Sequence, residues 1–203
     1  MVNNTYFVTG IGTDVGKTVA SAVLVKKLEA NYWKPIQCGD LDNSDSHKIK
    51  ALCPEAHIFP ETYALGTPAS PHYAAEVENQ RIDLERFELP TSEKPLVVEG
   101  AGGLLVPINQ EETIKDLIIK LSIPVVVVSR NYLGSINHSL LSLENLQSAG
   151  IPIAGLLFNG PQNEATEQII AHRTGVKVLG RIEPLQQVNE AAIINQAKNL
   201  KDI

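Results

Sequence analysis

The chain has 203 residues, 43 % of them hydrophobic, which is enough to bury one sizeable core, so we expect a single domain over residues 1–203. Its formal net charge is −6, and no cluster of Lys or Arg provides the basic patch by which nucleic acid or an anionic membrane is bound. These features argue against nucleic-acid and membrane partners and favour small molecules. An anionic ligand would have to be held by local cations and backbone N–H groups.

The cysteine content indicates a reducing compartment. Cys38 and Cys53 lie in no metal-ligand spacing, and two thiols in a chain of this length do not form a disulfide framework. The first ten residues lack the pattern of a signal peptide, and apolar runs such as residues 125–128 are too short to cross a bilayer. We therefore expect a cytoplasmic protein.

Six short apolar runs predict β-strands, because they are rich in β-branched residues and are continuous instead of alternating. These runs are residues 6–9, 32–36, 96–98, 125–128, 153–158 and 176–179. Continuous apolar strands are typical of a parallel sheet that is covered on both faces.

Amphipathic stretches between these runs predict helices over residues 17–30, 113–121, 137–149, 164–173 and 188–199. Gly150 follows the third of them as a helix stop. Prolines interrupt the stretch 39–95, where we expect only short helices at residues 46–52 and 71–77. The sequence therefore predicts an α/β fold with one doubly wound, mostly parallel sheet.

The segment GIGTDVGKT, from Gly10 to Thr18, follows the first predicted strand and opens the first predicted helix. In that context backbone N–H groups and the helix dipole bind phosphate, Lys17 neutralises the β and γ phosphates, and the Thr18 hydroxyl binds Mg²⁺. The strict pattern GxxxxGK[ST] is not met, because Ile11 stands at its first glycine position. A glycine-rich turn before an ordinary helix is the alternative. The agreement of strand, loop and helix favours a P-loop NTPase-like domain that binds a nucleoside triphosphate.

Charged residues near two other strand ends extend this site, because ligands of open α/β sheets bind at the carboxyl ends of strands. Lys34, on an apolar strand, is costly unless an anion partners it; the alternative is a lysine that snorkels to the surface. Glu99 ends a buried strand, as expected of a carboxylate that binds Mg²⁺, or alternatively of a capping carboxylate. Asp45 alone would be interpreted as a turn or N-cap residue.

Uncharged strand ends complete the predicted rim. The four residues after Glu99, GAGG, can expose successive N–H groups to an anion, with a plain tight turn as the alternative. Residues 131–137 follow the fourth predicted strand, and Asn159 with Gly160 follows the fifth. His72 and His138 have no metal-ligand spacing and are interpreted as structural or capping residues.

Taken in order, the strings GIGTDVGKT, KPIQCG, NSD, SPH, VEGAGG and LGSINH, with the late Asn159-Gly160, resemble the dethiobiotin synthetase family over about residues 6–184. The resemblance implies a dimeric P-loop enzyme of biotin biosynthesis. It would close the ureido ring of dethiobiotin from 7,8-diaminopelargonate, CO₂ and ATP, with release of ADP and phosphate. One amine would form a carbamate, ATP would phosphorylate it to a carbamic-phosphoric anhydride, and the neighbouring amine would displace phosphate.

The resemblance also implies a role for each site residue. Catalysis would fall to Lys17, Lys34 and Thr13, the lysines stabilising charge on the carbamate and the transferring phosphoryl group. Mg²⁺ would be bound by Thr18, Asp45 and Glu99. The nucleotide would be contacted by Asp14, Val15, Gly16, Lys17, Thr18, Val19, Asp45, Glu99, Gly100, Ala101, Gly102, Asn159, Gly160, Ile182, Glu183 and Pro184. The diamine or its carbamate would be contacted by Thr13, Cys38, Gly103, Leu133, Gly134, Ser135 and Asn137.

The last four of these substrate contacts enter a predicted helix, whose N-terminus would bind the substrate carboxylate across a homodimer interface. Three features depart from the family pattern. Gly12 stands where Asp is usual, Cys38 stands where Ser is common, and GRIEPL replaces a GEIP-like string. At Cys38 a weaker thiol contact therefore replaces a hydroxyl hydrogen bond.

Two alternative functions follow from the same P-loop. An ATP-dependent amidoligase that activates a carboxylate would need extra domains or a glutaminase partner. A partitioning-type ATPase switch would carry a signature Lys near the start of the P-loop, which this sequence lacks. ATP is favoured over GTP, because no NKxD string for guanine follows a strand.

Overall fold

The structure, a computed structural model, describes residues 4–203; residues 1–3, which the predicted domain includes, lie outside the described part. Residues 4–203 contain nine strands: β1 (Thr5–Gly10), β2 (Asn31–Trp33), β3 (Ile36–Cys38), β4 (Ile58–Phe59), β5 (Tyr63–Leu65), β6 (Leu96–Gly103), β7 (Val125–Arg130), β8 (Ile153–Asn159) and β9 (Val178–Ile182). Seven of them form one sheet in the order β4–β2–β6–β1–β7–β8–β9, and every neighbouring pair is parallel. β3 and β5 form a separate two-stranded parallel sheet.

In the described part of the chain, seven α-helices connect the strands: α1 (Lys17–Leu28), α2 (Asp45–Leu52), α3 (Pro71–Val77), α4 (Ile114–Leu121), α5 (Ser135–Ser148), α6 (Glu164–Thr174) and α7 (Glu190–Asn199). α1 packs against α2 and α7, while α5 packs against α6. The predicted doubly wound α/β fold is thus confirmed. Within residues 4–203, no helix combines the length and the apolar character needed to cross a membrane.

The central strands form the core and explain the continuous apolar runs. Every residue of β1 is buried, and Val125, Val126, Val127 and Val128 of β7 are each 0 % exposed. A strand with helices on both faces has no solvent side, so its sequence does not alternate. Because the strands are parallel, the loops after β1, β2, β6, β7 and β8 meet at one edge of the sheet. That edge carries the candidate site.

One predicted strand is wrong as a single element. Residues 32–36 are divided between β2 and β3, which belong to different sheets. Pro35 lies between them and has no N–H to donate to a neighbouring strand. Its carbonyl oxygen instead accepts hydrogen bonds from the N–H groups of Thr62 and of Tyr63, the first residue of β5. The break turns the chain out of the main sheet directly after Lys34.

The third predicted strand is longer than expected, because the small residues that follow Glu99 allow it to continue alongside β1. β6 continues past Glu99 to Gly103, which pairs with Gly10 of β1. The GAGG segment is therefore the end of a strand, and the alternative of a plain tight turn is wrong. A Cβ at Gly100 would lie 2.8 Å from a ring carbon of Phe7, so glycine is needed for the close packing there. β4 and β5 were not predicted, since each is only two or three residues long.

Candidate active site

The phosphate-binding loop joins β1 to α1 and closes tightly around Gly16. Gly16 has φ 89°, in the left-handed region that favours glycine, and a Cβ there would lie 2.1 Å from Asn159 Nδ2. Backbone conformation and packing therefore both exclude a side chain at this position. At Gly12, by contrast, a Cβ would have no heavy atom within 4 Å. The Asp that the family pattern has at this position would fit the fold.

Lys17 is the first residue of α1 and folds back over the loop. It is 8 % exposed, and its Nζ donates a hydrogen bond to the carbonyl oxygen of Gly12 at 3.0 Å. Burial lowers the pKa of Lys17 to about 8; the charge of Glu99 opposes this shift, and the charge of Lys34 adds to it. A bound anion would favour the charged ammonium. The arrangement therefore suits a lysine that neutralises phosphate.

Lys34 lies at the centre of the site, directly after β2, and is only 4 % exposed. Its Nζ lies 2.8 Å from Asp45 Oδ2, 3.1 Å from Glu99 Oε1 and 3.3 Å from the carbonyl oxygen of Gly100. Burial acts to lower the pKa of Lys34, but Glu99 and Asp45 together outweigh it and raise the pKa above its ordinary value. The alternative of a snorkelling surface lysine is wrong. A permanent cation is held inside the site.

Glu99 is 1 % exposed and uses its two oxygens for different partners. Oε1 accepts hydrogen bonds from Thr18 Oγ1 at 3.0 Å and from Lys34, whereas Oε2 accepts one from the hydroxyl of Tyr32 at 3.0 Å. A capping carboxylate accepts hydrogen bonds from the backbone N–H groups at a helix N-terminus, whereas these three partners of Glu99 are all side chains. Burial, and after it the charge of Glu99, raises the pKa of Tyr32 well above its ordinary value. The Tyr32 hydroxyl therefore keeps its proton and donates a hydrogen bond to Glu99.

Asp45 begins α2 and points to the same cluster. The N-cap of α2 is Ser44, whose side chain accepts from the His47 N–H, so the N-cap alternative for Asp45 is wrong. Burial would raise the pKa of the Asp45 carboxyl, but the ammonium of Lys34, and further that of Lys48, lowers it. Asp45 is thus held as a carboxylate.

The three side chains predicted to bind Mg²⁺, Thr18, Asp45 and Glu99, are brought together around Lys34. Hydroxyl and carboxylate oxygens are the hard donors that Mg²⁺ prefers, and it is usually held by one or two carboxylates with phosphate and water. Within residues 4–203, no group of three or more His, Cys, Asp or Glu is arranged to hold a metal by itself. The donor set therefore fits a Mg²⁺ ion that is shared with a phosphate ligand.

Two side chains at neighbouring strand ends contact successive carbonyls of the loop. Asn159 Nδ2 donates to the carbonyl oxygen of Val15 at 2.9 Å, and Arg130 Nη1 donates to that of Asp14 at 3.2 Å. Arg130 and Asn159 face each other across the β7–β8 pair. Asp14 has φ 56°, an uncommon conformation for a residue other than glycine. The two contacts hold the loop where its backbone is strained.

Tyr32 and Arg130 were missed from the sequence. Both had a usable signal. Tyr32 precedes Lys34 by two residues, so on an extended strand the two side chains point to the same face. Arg130 is the last residue of β7, and ligands of open α/β sheets bind at the carboxyl ends of strands.

The predicted substrate contacts fall into two groups. Near the cluster, Gly103 lies beside the start of the loop: a Cβ there would lie 3.4 Å from the Gly10 carbonyl oxygen. Thr13 is exposed on the loop. Cys38 is half-buried, and burial raises the pKa of its thiol to about 11, although the charge of Lys34 acts to lower it. Cys38 is therefore within the field of the same ammonium.

The second group is the segment 133–137, which enters α5 through Gly134 with φ 102°. Leu133 is fully exposed, whereas Ser135 is 1 % exposed and shares reciprocal hydrogen bonds with Tyr132. Among the hydrogen bonds of residues 4–203, none joins this segment to Lys34 or Glu99. Within the described part of one copy, no hydrogen bond therefore links the two parts of the predicted substrate site.

The predicted adenine contacts are gathered beside the loop. The Gly160 N–H donates to the Ile182 carbonyl oxygen at 2.9 Å, which brings the end of β9 next to Asn159. Glu183 and Pro184 follow as exposed residues. Because Asn159 also contacts Val15, these residues and the loop form one continuous wall.

Comparison with known proteins gives a consistent result. A protein-family model described as an AAA domain matches residues 4–192. A protein of Christiangramia forsetii named ATP-dependent dethiobiotin synthetase BioD is 50 % identical over 97 % of this chain and 95 % of its own length. Proteins of the same name from Paramagnetospirillum magneticum and Cytophaga hutchinsonii are 48 % and 44 % identical, over 92 % and 97 % of this chain and 91 % and 97 % of their own lengths.

Solved structures share the fold at low identity. A ParA family ATPase from Chlorobium tepidum superposes with a TM-score of 0.59 at 12 % identity, covering 97 % of this chain and 99 % of that one. A MinC:MinD cell division protein complex from Aquifex aeolicus gives a TM-score of 0.58 at 13 % identity, covering 96 % and 94 %. These likenesses show the P-loop ATPase fold alone. The full-length identity of up to 50 % to the curated relatives confirms the resemblance carried by the motifs: the chain belongs to the ATP-dependent dethiobiotin synthetase family.

Proposed function

We propose that this chain is a cyclo-ligase that converts 7,8-diaminopelargonate and CO₂ to dethiobiotin in biotin biosynthesis, with cleavage of ATP to ADP and phosphate. The observation that carries the proposal is the buried cation Lys34, held by Asp45 and Glu99 within hydrogen-bond distance. Glu99 in turn contacts Thr18 of the phosphate-binding loop. A second fixed cation beside a phosphate site suits a reaction in which an anionic acceptor meets the γ-phosphate.

The reaction has three steps. One substrate amine forms a C–N bond to CO₂ and loses a proton, which gives a carbamate. A carbamate oxygen then attacks the γ-phosphorus, and ADP leaves. Finally the neighbouring amine attacks the carbonyl carbon of the anhydride and loses a proton, and phosphate leaves as the ring closes. The last step is intramolecular, so its entropic cost is met by the structure of the substrate.

Each residue has a defined task in this scheme. Lys17 neutralises the phosphoryl group, Lys34 neutralises the carbamate, and Thr13 on the exposed part of the loop contacts the carbamate. Thr18, Asp45 and Glu99 would hold Mg²⁺, which neutralises phosphate charge when it is bound. Cys38 and Gly103 line the diamine end, and Asn159 with residues 182–184 contacts adenine.

The proposal includes a homodimer and a cytoplasmic location. The loop before α5 and the start of that helix expose apolar side chains: Leu133 is 103 % exposed, Leu141 58 %, Tyr132 43 % and Ile136 39 %. A second copy that covered this face could bring its segment 133–137 to the Lys34 cluster. The N-terminus of α5 would then bind the substrate carboxylate. Light scattering should give twice the chain mass, and Leu141→Asp should give monomers that lose turnover.

The direct test uses labelled bicarbonate. Purified protein is incubated with diaminopelargonate, ¹³C-bicarbonate, Mg²⁺ and ATP, and dethiobiotin is detected by mass spectrometry. We expect a product one mass unit heavier than unlabelled dethiobiotin, with one ADP formed per product. Lys17→Ala serves as the control against a contaminating enzyme, because it removes the phosphate-binding cation. Binding of ATP without labelled dethiobiotin would sink the proposal.

The two alternatives have weaker support. A partitioning-type switch is suggested only by the fold that the ParA and MinD structures share with this chain, and likeness at 12–13 % identity carries no activity. An amidoligase has no particular observation in its favour. Either alternative would replace the proposal if ATP were hydrolysed in the labelled assay without any dependence on the diamine.

A further inference from the structure

Tyr32 is a buried side chain that the reaction scheme above does not use. It is 0 % exposed, and its hydroxyl donates a hydrogen bond to Glu99 Oε2 at 3.0 Å. Tyr32 lies on β2 beside Val97 of β6, two residues before Lys34, so its side chain and that of Lys34 leave the strand on the same face. Tyr32 on β2 and Lys34 directly after it therefore both donate hydrogen bonds to the carboxylate of Glu99.

The two donors act on different oxygens of Glu99. Lys34 and Thr18 both contact Oε1, while Tyr32 contacts Oε2. The terminal torsion of a glutamate is broad and roughly two-fold, so a buried carboxylate can rotate unless both oxygens are held. Without the Tyr32 hydroxyl, Oε2 would be buried without a partner, and rotation toward Lys34 would relieve that loss. Oε1 would then leave Thr18.

We infer that Tyr32 is a positioning residue, which fixes the Glu99 carboxylate so that Oε1 is presented beside Thr18 to the Mg²⁺ of a bound nucleotide. The inference rests on the proposed metal role of Glu99. It assigns to Tyr32 the part that outer partners of ligating carboxylates commonly have, namely to set the orientation of a ligand. Tyr32 itself touches neither nucleotide nor substrate in this scheme.

A matched pair of variants tests this role. Tyr32→Phe removes the hydroxyl and keeps the ring. Tyr63→Phe is the control, because Tyr63 is also buried, at 4 % exposure, and its hydroxyl also makes one hydrogen bond, which it accepts from the Asp83 N–H at 2.9 Å. Both variants lose one buried hydrogen bond, and only Tyr32→Phe loses one to Glu99.

The first measurement does not depend on turnover. Mn²⁺ is used as a paramagnetic probe, and its binding to the protein–ADP complex is followed by electron paramagnetic resonance. We expect Tyr32→Phe to weaken Mn²⁺ binding by about 10-fold or more, the usual effect of losing such a partner, and Tyr63→Phe to leave it within about twofold. In the assay, Tyr32→Phe should need more Mg²⁺ for half-maximal rate and should recover most of kcat at saturating Mg²⁺. Equal Mn²⁺ affinities in wild type and Tyr32→Phe would overturn the inference.

A double-variant cycle covers the case in which Tyr32→Phe folds poorly. Glu99→Gln removes the charge, so Tyr32→Phe in that background leaves no buried carboxylate unpaired. If Tyr32 acts through Glu99, the second substitution changes Mn²⁺ affinity by less than about twofold in the Glu99→Gln protein. If Tyr32→Phe instead weakens Mn²⁺ binding by the same factor in the Glu99→Gln protein as in the wild type, its role is merely structural and the inference is overturned. The wild-type protein could also fail to form dethiobiotin while Tyr32→Phe weakens Mn²⁺ binding as expected and Tyr63→Phe does not. That outcome would support the inference and reject the proposed reaction.

Discussion

The ammonium of Lys34 lies 3.1 Å from the carboxylate of Glu99, and both side chains are almost completely buried, at 4 % and 1 % exposure. Burial of either charge alone would cost several kcal/mol, so each depends on the other. Asp45 adds a second carboxylate at 2.8 Å from the same ammonium. The site therefore holds one cation between two anions before any ligand binds. Removal of the cation should affect both folding and catalysis.

Lys34→Gln should reduce turnover at least 100-fold, because the carbamate and the phosphoryl group lose a fixed cation. It should also lower the free energy of unfolding by about 3–5 kcal/mol, since Glu99 remains buried without a cation and half-buried Asp45 keeps only Lys48 as its partner. Thermal unfolding with and without Mg²⁺ and ATP measures the second effect, and bound Mg²⁺ should restore part of the loss. Lys94→Gln, at an exposed lysine, is the control and should change neither quantity. Near-normal turnover of Lys34→Gln would remove Lys34 from the mechanism.

The two glycines of the phosphate-binding loop should respond very differently to a methyl group. Gly16→Ala should abolish measurable ATP binding, because a Cβ would lie 2.1 Å from Asn159 Nδ2 and the backbone has φ 89°. Gly12→Ala should bind ATP within about threefold of wild type, since the Cβ enters open space. A substitution that fits also restricts the unfolded chain, so Gly12→Ala should gain up to about 1 kcal/mol in stability. Calorimetric titration with ATP compares the pair; equal affinities would contradict the described loop conformation.

Arg130 and Asn159 should both support nucleotide binding through the loop they hold, to which Asn159 adds its proposed contact with adenine. Arg130→Gln removes the contact with the Asp14 carbonyl, and Asn159→Ala removes the contact with the Val15 carbonyl. Each loss leaves a strained loop less restrained, so we expect KM for ATP to rise about 5- to 20-fold while kcat at saturating ATP falls less than about threefold. Arg173→Gln, on α6, is the control for the loss of an exposed arginine. A fall in kcat without a change in KM would mean that Arg130 acts on the reacting groups and not on the loop.

Much of the fold could be predicted from local pattern. The continuous apolar runs of β1, β7 and β8 gave strands within two residues of those observed, because strands buried on both faces leave an unmistakable sequence. The prediction of one strand over residues 32–36 is wrong for a tertiary reason. Its apolar residues fit one strand, but Pro35 and the separate pairing of β3 with β5 divide it. No local pattern records which strand a residue will pair with.

The side-chain contacts of the candidate site could not be predicted for the same reason. A buried charge that needs a partner marks Lys34, a carboxylate at the end of a buried strand marks Glu99, and only the family resemblance marks Asp45. Their mutual contacts are not visible in local sequence, since Lys34 and Glu99 are 65 residues apart in the chain. Tyr32 lies within the predicted strand 32–36, and nothing in a tyrosine's own surroundings in sequence shows where its hydroxyl points. Its role became visible only when Glu99 was seen to be bonded on both oxygens.

Cys38 should behave as an inert neutral side chain at physiological pH. Burial raises the pKa of its thiol to about 11, so about one molecule in 1,000 carries the thiolate at pH 8. Where the family pattern commonly has Ser, this chain therefore has another neutral group, and no extra negative charge faces the carbamate. Cys38→Ser should accordingly keep turnover within about threefold.

Alkylation by iodoacetamide measures this pKa, because only the thiolate reacts. As pH rises from 8 to 10, the deprotonated fraction of a thiol with a pKa of about 11 rises about tenfold per unit, so the rate at Cys38 should rise likewise without reaching a plateau. Peptide mapping separates Cys38 from Cys53, whose pKa is raised to about 12 by burial and which should react more slowly still. In guanidinium chloride both should titrate near the ordinary value. A plateau near pH 9 in the folded protein would show that the ammonium of Lys34 outweighs burial, and Cys38 would then be a charged neighbour of the carbamate.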